Sequence, residues 1–109
     1  MTNQTWSPSK ACADFVADLQ YADIPAAVID TMKRDTLEWI GCAVGGAADR
    51  SSQPIKAVAD VRGGNSQATS IDCGRRNVVL AAMSNAYFGH ILEMDDVDRD
   101  SISHPATPN

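Results

Sequence analysis

Residues 24–46 read IPAAVIDTMKRDTLEWIGCAVGG, and this stretch decides the fold. Val28, Ile29, Met32, Thr36, Trp39, Ile40 and Ala43 recur along one face at helical spacing, over about five turns. Asp30, Lys33, Arg34 and Asp35 fall mostly on the other side. Asp23-Ile24-Pro25 announces the start of the helix. Gly45-Gly46 predicts its end, because glycine enters the left-handed conformation after a helix without a Cβ penalty. In a chain of 109 residues a helix of this length is the spine around which the rest must pack.

Three further helices follow from the same two signals, caps and periodicity. Ser7-Pro8 reads as an N-cap followed by proline at the first helical position, with Cys12, Phe15, Val16 and Leu19 on one face. Ser51, Ser52 and Pro54 open a helix that carries Ile55, Val58, Ala59 and Arg62, and Gly63-Gly64 closes it. Asn77 caps a fourth helix expected to run to Met94, with Val79, Leu80, Met83, Ala86, Tyr87, His90, Ile91 and Met94 as its apolar face. Between the third and fourth helices, Ala68–Asp72 reads as one short strand before a turn at Cys73-Gly74, and its pairing partner is expected outside the chain. The fold class is mainly α, about four helices with at most one short strand or hairpin. Residues 1–6 read as a loose terminus and 95–109 as an acidic loop ending the chain, within one partial domain over 1–109.

Composition narrows the function. Hydrophobic residues make up 44% and charged residues 21%, an ordinary soluble balance that argues against disorder. There is no basic stripe for nucleic acid and no apolar run of the length a membrane span needs. Three widely spaced cysteines without a CxxC pair point to free thiols, with Cys12 and Cys42 packed as small hydrophobes in a reducing, cytoplasmic setting.

The charge is concentrated. Of the net −5, residues 93–100 hold −4: Glu93, Asp95, Asp96, Asp98 and Asp100 against Arg99. His90 and His104, the two histidines of the chain, bracket this run. Crowded carboxylates repel, so at least one is expected to have a raised pKa. Asp96, Asp98 and Asp100 copy the first three ligands of a calcium loop. The required glycine and glutamate are then replaced by Ser101 and Thr107. A zinc site built from His90, His104 and an acid has no specific spacing behind it. Carboxylates at a helix end with a histidine after a short loop also suit acid–base catalysis, in which a proton is pulled from a carbon beside a carboxylate.

The segment NAYFGHILEMDDVDRDSISHPA, residues 85–106, resembles the signature of the MmgE/PrpD family. That signature is a helix ending in a His-x-Leu-acid-x-Asp-Asp run, followed by a short loop to His-Pro. The helix order agrees over residues 8–108. The family includes 2-methylcitrate dehydratase, cis-aconitate decarboxylase and an iminodisuccinate epimerase. The resemblance implies an all-helical domain of which this chain is the N-terminal part, a partner α+β domain, a homodimer, and acid–base chemistry on small di- and tricarboxylic acids with no metal or organic cofactor. It implies Asp95, Asp96 and His104 as catalytic residues and His90, Glu93 and Ser103 as substrate-binding. Asp95 and Asp96 would act as base or position the substrate, and His104 would act as general acid or bind a carboxylate. The chain departs from the pattern at Val97 and Asp98, where threonine and often histidine stand, and at Glu93, which replaces a frequent aspartate. It stops five residues after His104, so later histidine and lysine contributors lie outside it, and so would the cations needed to offset the acidic patch. The expectation is an N-terminal fragment of a lyase or epimerase, inactive alone. The competing expectation is an acidic helical binding module, Ca²⁺- or Mg²⁺-dependent and complete at 109 residues.

Overall fold

The computed structural model describes residues 6–72 and 74–105. The expected loose terminus, apart from Trp6, and the end of the acidic loop beyond Pro105 lie outside the described residues, as does Cys73. The chain divides into two compact units, Met1–Thr31 and Met32–Asn109.

The first unit holds helix α1, Pro8–Asp18, a 3₁₀ turn at Tyr21–Asp23, and the opening of helix α2, Ala26–Ala48. The Ser7 hydroxyl caps α1 by accepting the Lys10 N–H, with Pro8 at the first position as expected. Gln20 and Asp23 form a reciprocal capping box on the 3₁₀ turn. Phe15 and Val16 are exposed, and so is Cys12, contrary to the expectation that it packs as a hydrophobe.

The second unit contains the core. Helix α2 ends at Ala48, not at Gly45-Gly46. The glycines serve another purpose. A Cβ on Gly46 would collide with the Phe88 carbonyl, and one on Gly89 would collide with the Trp39 indole. Glycine therefore lets α2 and helix α4, Val78–His90, approach backbone to backbone. The true end of α2 is satisfied by side chains: the Ser52 hydroxyl donates to the Gly46 carbonyl at 2.6 Å, and the Lys56 ammonium to the Ala47 carbonyl at 2.6 Å. A cation there also suits the negative end of the helix dipole.

Helix α3, Gln53–Arg62, follows a 3₁₀ turn and stops at Gly63, whose positive φ of 57° favours glycine. Ala43, Ala47, Ile55 and Phe88 form the core, with Trp39 and Ile71 packed against it. Phe88 is wholly buried, a contribution of about 2–3 kcal/mol from its own apolar area. Strands β1, Ala68–Ser70, and β2, Gly74–Arg76, pair antiparallel with Thr69 opposite Arg75. The partner expected outside the chain is thus the next three-residue strand, across a tight turn. Asn85 binds the hairpin to α4 by accepting the Ile71 N–H and donating to the Thr69 carbonyl.

Helix α4 is capped by Asn77, whose side-chain oxygen accepts the Leu80 N–H at 3.0 Å. Its buried face is Leu80, Ala81, Ser84, Phe88 and Gly89, while Val79 and Met83 from the expected face are exposed. The helix is apolar on more than one side, so spacing alone could not say which side packs. The second side stays open, with Val78 and Val79 at 56% and 69% exposure. Helix α4 ends at His90, four residues before the expected Met94.

Candidate functional site

The early end of α4 creates the site. Glu93 adopts φ 50°, the left-handed conformation usual for glycine after a helix, and its N–H bonds the His90 carbonyl at 2.8 Å. A side chain in this conformation costs about 1–2 kcal/mol. The turn swings the chain back, so Asp95 returns beneath His90. The acids therefore lie beyond the helix terminus, and the residue in its last turn is a histidine, which the dipole favours.

A second tight loop brings in His104. Asp98 and Ser103 form a bridge, with the Asp98 N–H donating to the Ser103 carbonyl at 2.8 Å. The Asp98 carboxylate accepts the Asp100 N–H at 3.0 Å and the Ser101 hydroxyl at 2.9 Å. These bonds, the Asp100 N–H first, hold the Asp98 carboxyl below its ordinary range. Ile102, inside this loop, also has a positive φ, 52°, an outlier for a β-branched residue. Two strained residues, Glu93 and Ile102, thus stand on the path between the two histidines.

The Asp95 side chain is fully enclosed between the imidazoles. His90 Nδ1 lies 3.0 Å from one of its oxygens, and His104 Nδ1 lies 3.0 Å from the other. His104 Nδ1 is also 2.8 Å from the Asp96 carbonyl. The rings meet edge to face, with centroids 4.8 Å apart. Carboxylate and carbonyl oxygens only accept, so these contacts place a hydrogen on each Nδ1. In the neutral ring the lone pair is then on Nε2, the nitrogen turned away from Asp95. Burial works to raise the Asp95 carboxyl, but the His90 hydrogen bond, a backbone bond and the charges of both histidines outweigh it and hold the group below its usual range. Asp95 and Asp98 are both lowered, against the expectation that crowding raises an acid, because imidazoles, loop N–H groups and a hydroxyl face them.

Of the residues singled out in the sequence, the structure brings His90, Asp95 and His104 together. Asp96 is half-buried beside them. Glu93 is exposed on its turn, and Ser103 is exposed with its hydroxyl 2.6 Å from that of Ser101. Among the described residues, His90, Asp95 and His104 are the one group whose ligand atoms all lie within metal-binding reach of one another. Asp96, Asp98 and Asp100 do not converge as a calcium loop would require.

Two residues of α2 belong to the site and were not expected. Glu38 accepts the Asp96 N–H at 3.2 Å, fixing the Asp95-Asp96 turn from a helix 58 residues away in sequence. Cys42, one turn further on, is half-buried. Burial first, and then the charges of Glu38, Asp95 and Asp96, push its thiol up. Nothing local in the sequence marks either residue.

The family model of the MmgE/PrpD N-terminal domain matches residues 10–109. No match was found among curated proteins or among solved structures. No described helix is long and apolar enough to cross a membrane.

Proposed function

The chain belongs to the MmgE/PrpD family through its N-terminal domain, and from that premise we propose that it is the N-terminal segment of a cofactor-independent lyase or isomerase. Its substrates on this reading are small di- or tricarboxylic acids, and the working protein is a cytoplasmic homodimer. The observation that carries the proposal is the buried Asp95 holding two imidazoles by Nδ1. A carboxylate that accepts from Nδ1 fixes ring orientation and tautomer and steadies the positive charge when the ring takes a proton. Each Nε2 is thereby left as an acid–base atom.

The chemistry follows in two steps. A base removes the proton from the carbon beside a substrate carboxylate, and Asp96 is assigned this role. His104, protonated on Nε2 as the imidazolium and left neutral afterwards, is assigned to supply a proton to the departing hydroxyl, or to the opposite face of the carbon in an epimerisation. Asp95 is the group that orients both rings. His90, Glu93 and Ser103 supply polar contacts to the substrate. The acidic run needs cationic groups from the remainder of the enzyme to hold a polycarboxylate.

The test is turnover of the full-length protein. Asp96→Asn and His104→Ala should each lower kcat by at least about a hundredfold, the low end of general acid–base contributions. Near-normal kcat in both variants would overturn these roles.

A further inference from the structure

We propose that His90, Asp95 and His104 form a site for a borderline divalent cation of the Zn²⁺ class. The argument is geometric and does not depend on the acid–base reading. Ligand atoms around tetrahedral zinc stand about 3.3 Å apart, given metal–nitrogen and metal–oxygen bonds of about 2.0–2.1 Å. Here each imidazole Nδ1 is 3.0 Å from an Asp95 oxygen, and all the donor atoms lie within 4.8 Å of one another. The Asp95 Oδ2 oxygen lies 3.3 Å from His90 Nδ1 and 3.0 Å from His104 Nδ1, so two edges are already close to the tetrahedral spacing, and an approach of the rings closes the third.

The frame around the donors is already built. His90 is set by the last turn of α4. Asp95 is returned by the Glu93 turn and steadied through the Glu38 bond to the next residue. His104 is delivered by the loop that Asp98 and Ser103 close. The Asp95 side chain is enclosed, with each of its oxygens facing an imidazole nitrogen. His90 is half-exposed, which leaves a way in and a position for water as a further ligand. Two imidazoles with one carboxylate favour zinc over magnesium or calcium, which prefer all-oxygen shells.

Binding through Nδ1 has a chemical consequence. The ring hydrogen moves from Nδ1 to Nε2, so the Nε2 lone pair disappears in a metal-bound neutral imidazole. On the acid–base reading, cation occupancy and proton transfer therefore exclude each other, and zinc would silence the site.

The test is calorimetric titration of the metal-free full-length protein with Zn²⁺ alone, compared with Mg²⁺ at the same concentration. One zinc per chain and no response to magnesium are expected. His104→Asn and His90→Asn are the informative variants, because the asparagine amide keeps an N–H donor near the Nδ1 position but cannot ligate through a ring nitrogen. Neighbours of metal ligands are themselves worth about 10–100-fold in affinity, so loss of a ligand should weaken zinc binding by at least about a hundredfold. Either variant suffices if the other fails to fold. Absence of zinc binding, or wild-type affinity in a folded variant, overturns the proposal. So does a thiolate-to-metal absorption band with Co²⁺, which would place Cys42 in the shell. Failure here leaves the acid–base roles standing, since the titration reads binding and not turnover.

Discussion

A buried aspartate flanks each end of α4, and the two are neutralised differently. Before the helix, Asp72 meets the Arg76 guanidinium at 2.7 Å, and the same guanidinium reaches Asp60 on α3 at 2.9 Å. After the helix, Asp95 meets two imidazoles at 3.0 Å. Guanidinium keeps its proton at any pH a protein meets, whereas imidazole is suited to exchange one. The first end is a permanent clamp between the hairpin and α3. The second can change its charge and its hydrogen-bond direction. The same carboxylate chemistry thus serves architecture at one end and, under the function proposed above, reaction at the other, and the partner decides which.

The largest expected effect lies at the permanent end. Arg76→Ala strands Asp72 as a largely buried, uncompensated charge, and breaking such a pair costs about 3 kcal/mol. Urea unfolding should show this loss, while kcat of the molecules that remain folded stays near wild type. A loss below about 1 kcal/mol would mean that the Asp72–Arg76 pair behaves as an ordinary surface contact.

The opposite split is expected at the exchanging end. Asp95→Asn keeps the size of the side chain and one accepting oxygen but removes the charge that steadies both imidazoles. Turnover of the full-length enzyme should fall at least about a hundredfold, with much less loss of stability than Arg76→Ala produces. If Asp95→Asn instead unfolds the protein and Arg76→Ala stops catalysis, the contrast between the two ends is reversed.

How much of this was legible depended on how local each signal is. Ser7-Pro8, Asn77 and Gly63 act within a turn of themselves, and the structure uses each as its sequence implied. Gly45-Gly46 misled because a helix stop and a close helix crossing both ask for the same residue. Only the position of Phe88, some forty residues away in sequence, separates them. The packed face of α4 was hidden because valine and methionine lie on its open side as well. In the site, the gathering of acids between two histidines was plain, but the enclosure of Asp95 was not. It depends on left-handed turns at Glu93 and Ile102, residue types that do not advertise them. Glu38 was unreadable for the same reason as Phe88: its partner is 58 residues away.

The smallest expected effect sharpens the comparison through acid. Burial pushes the Asp72 carboxyl up, but the Ser70 hydroxyl and the Arg76 guanidinium outweigh it, and the group is held below its ordinary range, as Asp95 is. A carboxyl lowered on folding stabilises the folded state above its unfolded pKa of about 3.9, and that stabilisation is lost as pH falls through the lower folded value. Stability should therefore be insensitive to these two groups at neutral pH and should decline below about pH 4. Asp72→Asn and Asp95→Asn should each make the acid decline shallower, because each removes one group that binds more protons unfolded than folded. The two differ in what else changes. Asp72→Asn leaves the pH–rate profile of the full-length enzyme where it was, since Arg76 does not titrate in that range. Asp95→Asn displaces the profile, because the carboxylate it removes faces both imidazoles. A profile displaced equally by both variants would mean that the two ends of α4 are electrostatically one site, and that the division between clamp and reaction centre is wrong.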